Sequence, residues 1–200
     1  MNATCKTKDK VIREEIISAA RSQFQQFGLF KTTMEDIAKA VGKGKSSLYY
    51  YFKSKEEIFK AMIREEMEEV FDLVKYAVQR ANTAEEKLRA FSSTKIQALH
   101  QKASLYGIVF GEISDNPLLV KSLKKDYENK ELSLLKDILS FGINNKEFKN
   151  VTNDELEHLS YIMLSSIRGI EKGVLEECPI KRISDRLDFA QKLLCHGIKL

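Results

Sequence analysis

The chain has 200 residues, 43% of them hydrophobic, with two prolines and nine glycines. That length suits one domain of usual size or a small module joined to a larger one, and so few turn-formers argue against an all-β protein. The net charge is +4, and no apolar run approaches the ~18 residues that would cross a membrane.

The first residues, MNATCKTKDKVIREEII, place charges where a secretory signal needs its apolar segment, so a cytoplasmic location is expected. Lys6, Lys8 and Lys10 are expected to form a charged, unstructured tail. A first helix is predicted from about Lys10 to Phe27, with Ile12, Ile16, Ala20, Phe24 and Phe27 on one face and Gly28 as its stop. Thr33 caps a second helix and pairs with Asp36 in a variant of the capping box, and Gly42 ends that helix after Val41. A short third helix is predicted from about Lys45 to Phe52. Ser54-Lys55-Glu56-Glu57 then opens a long fourth helix to about Arg80. Residues 1–60 hold twelve Lys and Arg against seven Asp and Glu, whereas the other 140 hold 21 against 22. The excess positive charge therefore sits on this N-terminal stretch, as a polyanion partner requires.

Everything beyond also reads as helical. Thr83-Ala84-Glu85-Glu86 starts a helix to about Lys102, and a short segment spans 104–114. Asn116-Pro117 opens a helix to about Ile143. Thr152 with Glu155 caps the next, to about Glu177. Cys178-Pro179 interrupts the chain before a last amphipathic helix to His196. The expected fold class is all-α: an N-terminal three-helix helix-turn-helix module (1–53) joined to a larger C-terminal helical ligand-binding and dimerisation domain (54–200). Cys5, Cys178 and Cys195 have no CxxC spacing and read as free thiols. No metal-ligand or catalytic-triad spacing appears, so neither a cofactor nor an enzyme is expected.

Gly44-Lys45-Ser46 resembles the end of a phosphate-binding loop, G-x-x-x-x-G-K-[ST], but the first glycine of that motif would fall on Lys39. The preceding residues Met34, Ile37, Ala38 and Val41 have helical spacing, where the loop needs a strand. A nucleotide loop is excluded on both counts. In the third helix Leu48 and Phe52 share one side, leaving Ser46, Ser47, Tyr49 and Tyr50 outward. Hydroxyls and phenols donate to phosphates, and lysine adds charge and can reach guanine edges. Lys45 lies at the start of this helix and Lys55 in the first turn of the fourth, both suited to phosphate. Lys43 is expected to turn outward and add a phosphate contact. Some of the tyrosines are expected to pack the third helix against the fourth instead.

The stretch FGLFKTTMEDIAKAVGKGKSSLYYYFKSKEEIFKAM resembles the DNA-binding region of the TetR family of transcriptional regulators, over about residues 10–62. Its landmarks are Phe27-Gly28, Thr32-Thr33, Ile37-Ala38, Gly42, Leu48-Tyr49, Phe52 and Ser54-Lys55. The resemblance implies an all-α homodimer whose third helix enters the major groove of a palindromic operator, released by a small effector. By position it places the DNA contacts on Thr33, Lys45, Ser46, Ser47, Tyr49, Tyr51 and Lys55. The sequence departs from the family at Lys43, often a buried valine there, and at Gly44, often a capping serine or threonine. The alternative is a helical adaptor that offers its basic module to an acidic protein partner.

For a hydrophobic or amphipathic effector the candidate contacts are Tyr106, Phe110, Leu134, Phe141, Met163 and Ile167, with Glu112, His100 and Arg168 as polar groups. In the helix from Thr152, Leu156, Leu159, Met163, Ile167, Ile170 and Val174 make one apolar face. A second stripe holds Ser165, Gly169 and Gly173, with Ile162 and Ser166 beside it. Small residues there let another helix approach, either the last helix of the same chain or a second subunit. The family resemblance, in which the final two long helices build a four-helix interface, favours the second subunit.

Overall fold

The computed structural model describes residues 3–102, 118, 121–175 and 180–199. Among them eight α-helices follow one another without a strand: α1 (Ala3–Lys31), α2 (Met34–Val41), α3 (Lys45–Tyr51), α4 (Lys55–Arg80), α5 (Ala84–Gln101), α6 (Lys121–Asn144), α7 (Asn153–Leu175) and α8 (Ile180–Ile198). The class is all-α. The expected segment at 104–114, the Asn116-Pro117 helix start, the Cys178-Pro179 break, and the candidates Tyr106, Phe110 and Glu112 lie outside the described residues.

The described residues form two compact units, one up to Met67 with the stretch ending at Leu123, the other from Glu68 through α5 and from Lys124 onward. In the first unit α1 begins at Ala3, not near Lys10, so the expected unstructured tail is helical. Gly28 leaves helical geometry at φ 77°, a left-handed conformation that suits glycine, and one further turn runs to Lys31. Ile16, Ala20 and Phe24 of α1 meet Ile37, Leu48, Phe52, Ile58, Phe59 and Met62 in a single buried cluster. Phe24 and Phe59 pack edge to face, with centroids 5.4 Å apart. Phe27, expected on this inner face, is 48% exposed, because it stands where the chain turns out at Gly28.

Caps fix the helix boundaries. The Thr33 hydroxyl accepts from the Asp36 N–H while the Asp36 carboxylate accepts from the Thr33 N–H, and Thr83/Glu86 and Thr152/Glu155 repeat the pattern. At α4 the pairing shifts by one residue. Ser54 accepts from the Glu57 N–H, but Glu57 accepts from Lys53. The Thr33 hydroxyl and N–H hold the Asp36 carboxyl below its ordinary pKa, and backbone N–H groups do the same for Glu86 and Glu155. Each such carboxylate adds stability above its unfolded pKa of about 4 and loses it as pH falls through its lowered folded value.

In the second unit the apolar faces of α5, α6, α7 and α8 enclose Leu88, Phe91, Leu135, Ile138, Met163, Ile167, Ile183 and Leu187. Gly142 allows a close approach. A Cβ there would lie 2.3 Å from the Phe148 ring. Buried among these helices, Lys95 pairs with Glu131 and, at 2.7 Å, with Glu171. Arg168 joins from the other side, 2.8 Å from Glu128 and 3.4 Å from Glu131. Burial disfavours the charged Lys95, but Glu171 and Glu131 outweigh it and raise its pKa. Burial also raises Glu131, which Lys95 and Arg168 offset only in part. Two carboxylates thus share one buried ammonium.

Removing that ammonium leaves the carboxylates buried without it. Lys95→Met should cost about 3–5 kcal/mol of unfolding free energy, and adding Glu131→Leu should recover part of the loss. Urea denaturation measures both, and a Lys95→Met protein as stable as the parent would contradict this role. Circular dichroism should show helix content equal at pH 7 and pH 5 and falling below about pH 4, where the three capping carboxylates protonate.

Candidate nucleic-acid interface

The third helix is held by two side chains. Leu48 is fully buried and Phe52, its C-cap, is 2% exposed. The turn before it closes on Gly42, whose φ of 68° is left-handed, with Gly42 N–H on the Lys39 carbonyl and Lys43 N–H on Ala38. Gly44 is the N-cap without a side-chain bond, as its residue type requires. With the inner side fixed, Lys45, Ser46, Ser47, Tyr49 and Tyr50 lie on the outer one. Tyr49 is 43% exposed and Tyr50 77%. The Lys45 ammonium pairs with Glu35 of α2 and lies 5.9 Å from the Tyr49 ring centre. Glu35 fixes the direction of that lysine and must be outcompeted by any phosphate or base it meets.

Four other candidates have different surroundings. Thr33 is exposed, but its hydroxyl donates to Asp36 at 2.6 Å within the α2 cap. Lys43 does not turn outward. It meets Glu15 of α1 at 3.2 Å. Tyr51 is half-buried. Its phenol donates to Asp9 at 3.3 Å and its carbonyl accepts from Arg13 at 2.7 Å. The Arg13 guanidinium lies over the Phe52 ring, 4.1 Å from its centre. Lys55 donates to three carbonyls, Leu29 at 2.8 Å and Phe30 and Thr32 at 2.9 Å each. All three ammonium protons are used in closing the turn between α1 and α2.

Tyr50 is the outward residue that position-by-position transfer omits. The helical period finds it, since 200° separates it from Leu48, while Tyr51, three residues on, shares the side of Leu48. Phe30, 87% exposed on the turn that Lys55 closes, had no sequence signal.

In the second unit Met163 and Ile167 line a cleft among α5, α6, α7 and α8. Phe141 is elsewhere, with the Lys87 ammonium 4.9 Å from its ring centre. His100 is exposed, and Arg168 is held by Glu128 and Glu131. Ile162 is 51% exposed, and Ser165 and Gly169 are exposed beside it. A Cβ on Gly169 would meet nothing within 4 Å. Ser166 is half-buried and donates to the Ile162 carbonyl, and Gly173 lies further along α7. On α8, Phe189 and Leu193 are 64% and 61% exposed. No described helix is long and apolar enough to cross a membrane.

The profile of a family described as bacterial regulatory proteins, tetR family, matches residues 16–62, from the middle of α1 into α4. A transcriptional repressor of Mycolicibacterium smegmatis, KstR2, is 27% identical over 140 residues, covering 68% of this chain and 67% of that one. The negative regulator of a biofilm operon in Staphylococcus aureus, IcaR, is 25% identical over 139 residues, covering 63% and 75%. A solved transcriptional regulator of Cytophaga hutchinsonii superposes with a TM-score of 0.73 at 28% identity, over 94% of this chain and 98% of that one.

The clamp on the turn is testable without a ligand. Lys55→Met leaves three carbonyls without their donor and should lower stability by about 1–3 kcal/mol. An unchanged midpoint in urea would mean that Lys55 does not hold the turn.

Proposed function

We propose that the chain is a regulator of the TetR family, whose profile matches residues 16–62, and that it is a ligand-responsive repressor that binds a two-fold symmetric DNA operator as a homodimer. Residues 1–53 read DNA, residues 54–200 bind a small hydrophobic or amphipathic effector and dimerise, and the protein works in the cytoplasm. The relatives, being transcriptional regulators, do not favour the adaptor alternative.

The observation that carries this reading is the division of α3 into two sides. Leu48 and Phe52 anchor the helix, and the opposite side offers Lys45, two serines and two tyrosines, all exposed. A helix so held can enter a major groove by its N-terminal half. Ser46, Ser47, Tyr49 and Tyr50 supply phosphate donors, and Lys45 reaches base edges once Glu35 is displaced. Lys43, Tyr51, Thr33 and Lys55 hold the module that carries this surface through Glu15, Asp9, Asp36 and the α1–α2 turn.

For dimerisation the supporting observation is exposure on neighbouring helices. Ile162 and the small residues Ser165 and Gly169 on α7, with Phe189 and Leu193 on α8, leave apolar area open to solvent in a single chain. A second copy bringing the same pair of helices would cover it.

Selection from random duplexes should enrich palindromes whose half-sites lie about one helical turn apart. Lys45→Ala should alter base preference by about 1–3 kcal/mol at one position of each half-site. No enrichment, or an unaltered preference in Lys45→Ala, would defeat α3 as the reader. Gly169→Leu should give a folded monomer with much weaker operator binding. Sedimentation showing an intact dimer with normal affinity would place the interface elsewhere.

A further inference from the structure

The cleft among α5, α6, α7 and α8 is apolar in its depth, lined there by Leu88, Leu135, Met163, Ile167 and Leu187, all buried. Its mouth is formed by half-buried residues, Ser166, Ile170, Ala190 and Leu194. One polar side chain among the lining residues stands out. Gln191 is 8% exposed, its Nε2 donates to the Glu85 carbonyl at 3.1 Å, and its Oε1 is buried with no hydrogen-bond partner among the described residues. That bond fixes the amide orientation, since the flipped form would set Oε1 against a carbonyl oxygen. An unpartnered buried acceptor is costly, so a group that supplies a donor there recovers that cost.

The other polar groups of the cleft point to the same chemistry. Ser92 donates its proton to the Leu88 and Arg89 carbonyls, and Ser166 donates to Ile162. With those hydroxyl protons and one of the two Gln191 N–H groups engaged, the polar lining atom left without a partner among the described residues is the Gln191 Oε1 acceptor. A carboxylate entering here would meet oxygen lone pairs, and an ammonium would lose its water to an apolar wall. A neutral apolar body with one O–H or N–H donor meets both requirements.

We infer that this cleft is the effector site of the regulator, and that it takes a small neutral molecule, largely apolar, whose single hydrogen-bond donor is accepted by Gln191 Oε1. This rests on the reading of the chain as a ligand-responsive regulator. The enclosed space is about 20 Å3, room for one water, so a larger molecule must displace lining side chains. Met163 in the depth and Leu194 at the mouth must swing to admit a ligand, and methionine, with three rotatable bonds, does so readily. The buried ions lie one turn along the same helices: Lys95 from Ser92, Glu131 from Leu135, Glu171 from Ile167. The mouth also includes Ser166, a residue of the proposed dimer stripe. Spreading α5, α6 and α7 at the cleft therefore strains both a charge cluster and an interface.

Titration calorimetry with phenol, anisole and benzoate decides the chemistry. Phenol should bind at least tenfold more tightly than anisole, which has the same ring without a donor, and benzoate should not bind. Gln191→Leu should erase the preference for phenol. Leu88→Ala, which enlarges the cleft without touching Gln191, should tighten phenol binding and keep the preference, and it answers the question even if Gln191→Leu fails to fold. Equal binding of phenol and anisole to both the parent and Leu88→Ala, or no phenol binding, would overturn the inference. Saturating phenol should also lower affinity for the selected operator at least tenfold. Phenol that binds through Gln191 and leaves operator affinity unchanged would overturn the effector role. A protein that binds no DNA at all refutes the regulator reading separately, while the phenol preference still decides whether the cleft is a donor-reading site.

Discussion

The interaction on which the proposed DNA-reading surface depends is the ammonium group of Lys55. It gathers three carbonyls from the turn that Gly28 makes possible, and so ties the first turn of α4 to the start of α2. A backbone turning out of a helix at φ 77° leaves carbonyls with no intrahelical donor. One cation with three protons satisfies them at once, which neutral side chains would need several residues to do. Thr32, buried beside this turn, donates its hydroxyl to the Gly28 carbonyl at 2.7 Å and so continues the same closure. The position of α2, and through the Gly42 turn that of α3, follows from these bonds and from the shared apolar cluster beneath them.

Much of this was legible in the residues. Thr33 with Asp36, Thr83 with Glu86 and Thr152 with Glu155 announce their helix starts, because a cap is a local bond between residues three apart. Gly28 and Gly42 announce stops for the same local reason. Leu48 and Phe52 assign the sides of α3, and the same period already sets Tyr51 beside Leu48 and Tyr50 opposite. Family position alone names Tyr51. What was not legible is long-range: Lys55 reaching Leu29, Lys43 reaching Glu15, Tyr51 reaching Asp9. Each is a charged or polar side chain whose partner lies many positions away on another helix. Pattern reading treats such a residue as solvent-facing, and here three of them serve the fold.

The second half of the chain carries the same lesson in stronger form. Lys95 and Glu131 sit in sequence among polar neighbours and give no sign of burial, yet they occupy the interior with Glu171. Gln191, on an amphipathic helix, is likewise recognisable only once Glu85 is seen to hold its amide. Apolar periodicity found Met163 and Ile167 correctly as inward, since that signal is local. It could not distinguish core from cleft, because the difference lies in what the facing helices leave unfilled.

The central claim is that the outer side of α3 reads bases in a major groove. Methylation interference on the selected operator tests this most directly, because dimethyl sulfate places a methyl on guanine N7, which lies on the floor of that groove. Binding should be lost when guanines are methylated at two symmetric positions about 34 Å apart on one face of the duplex. Binding indifferent to N7 methylation throughout the operator would contradict the account.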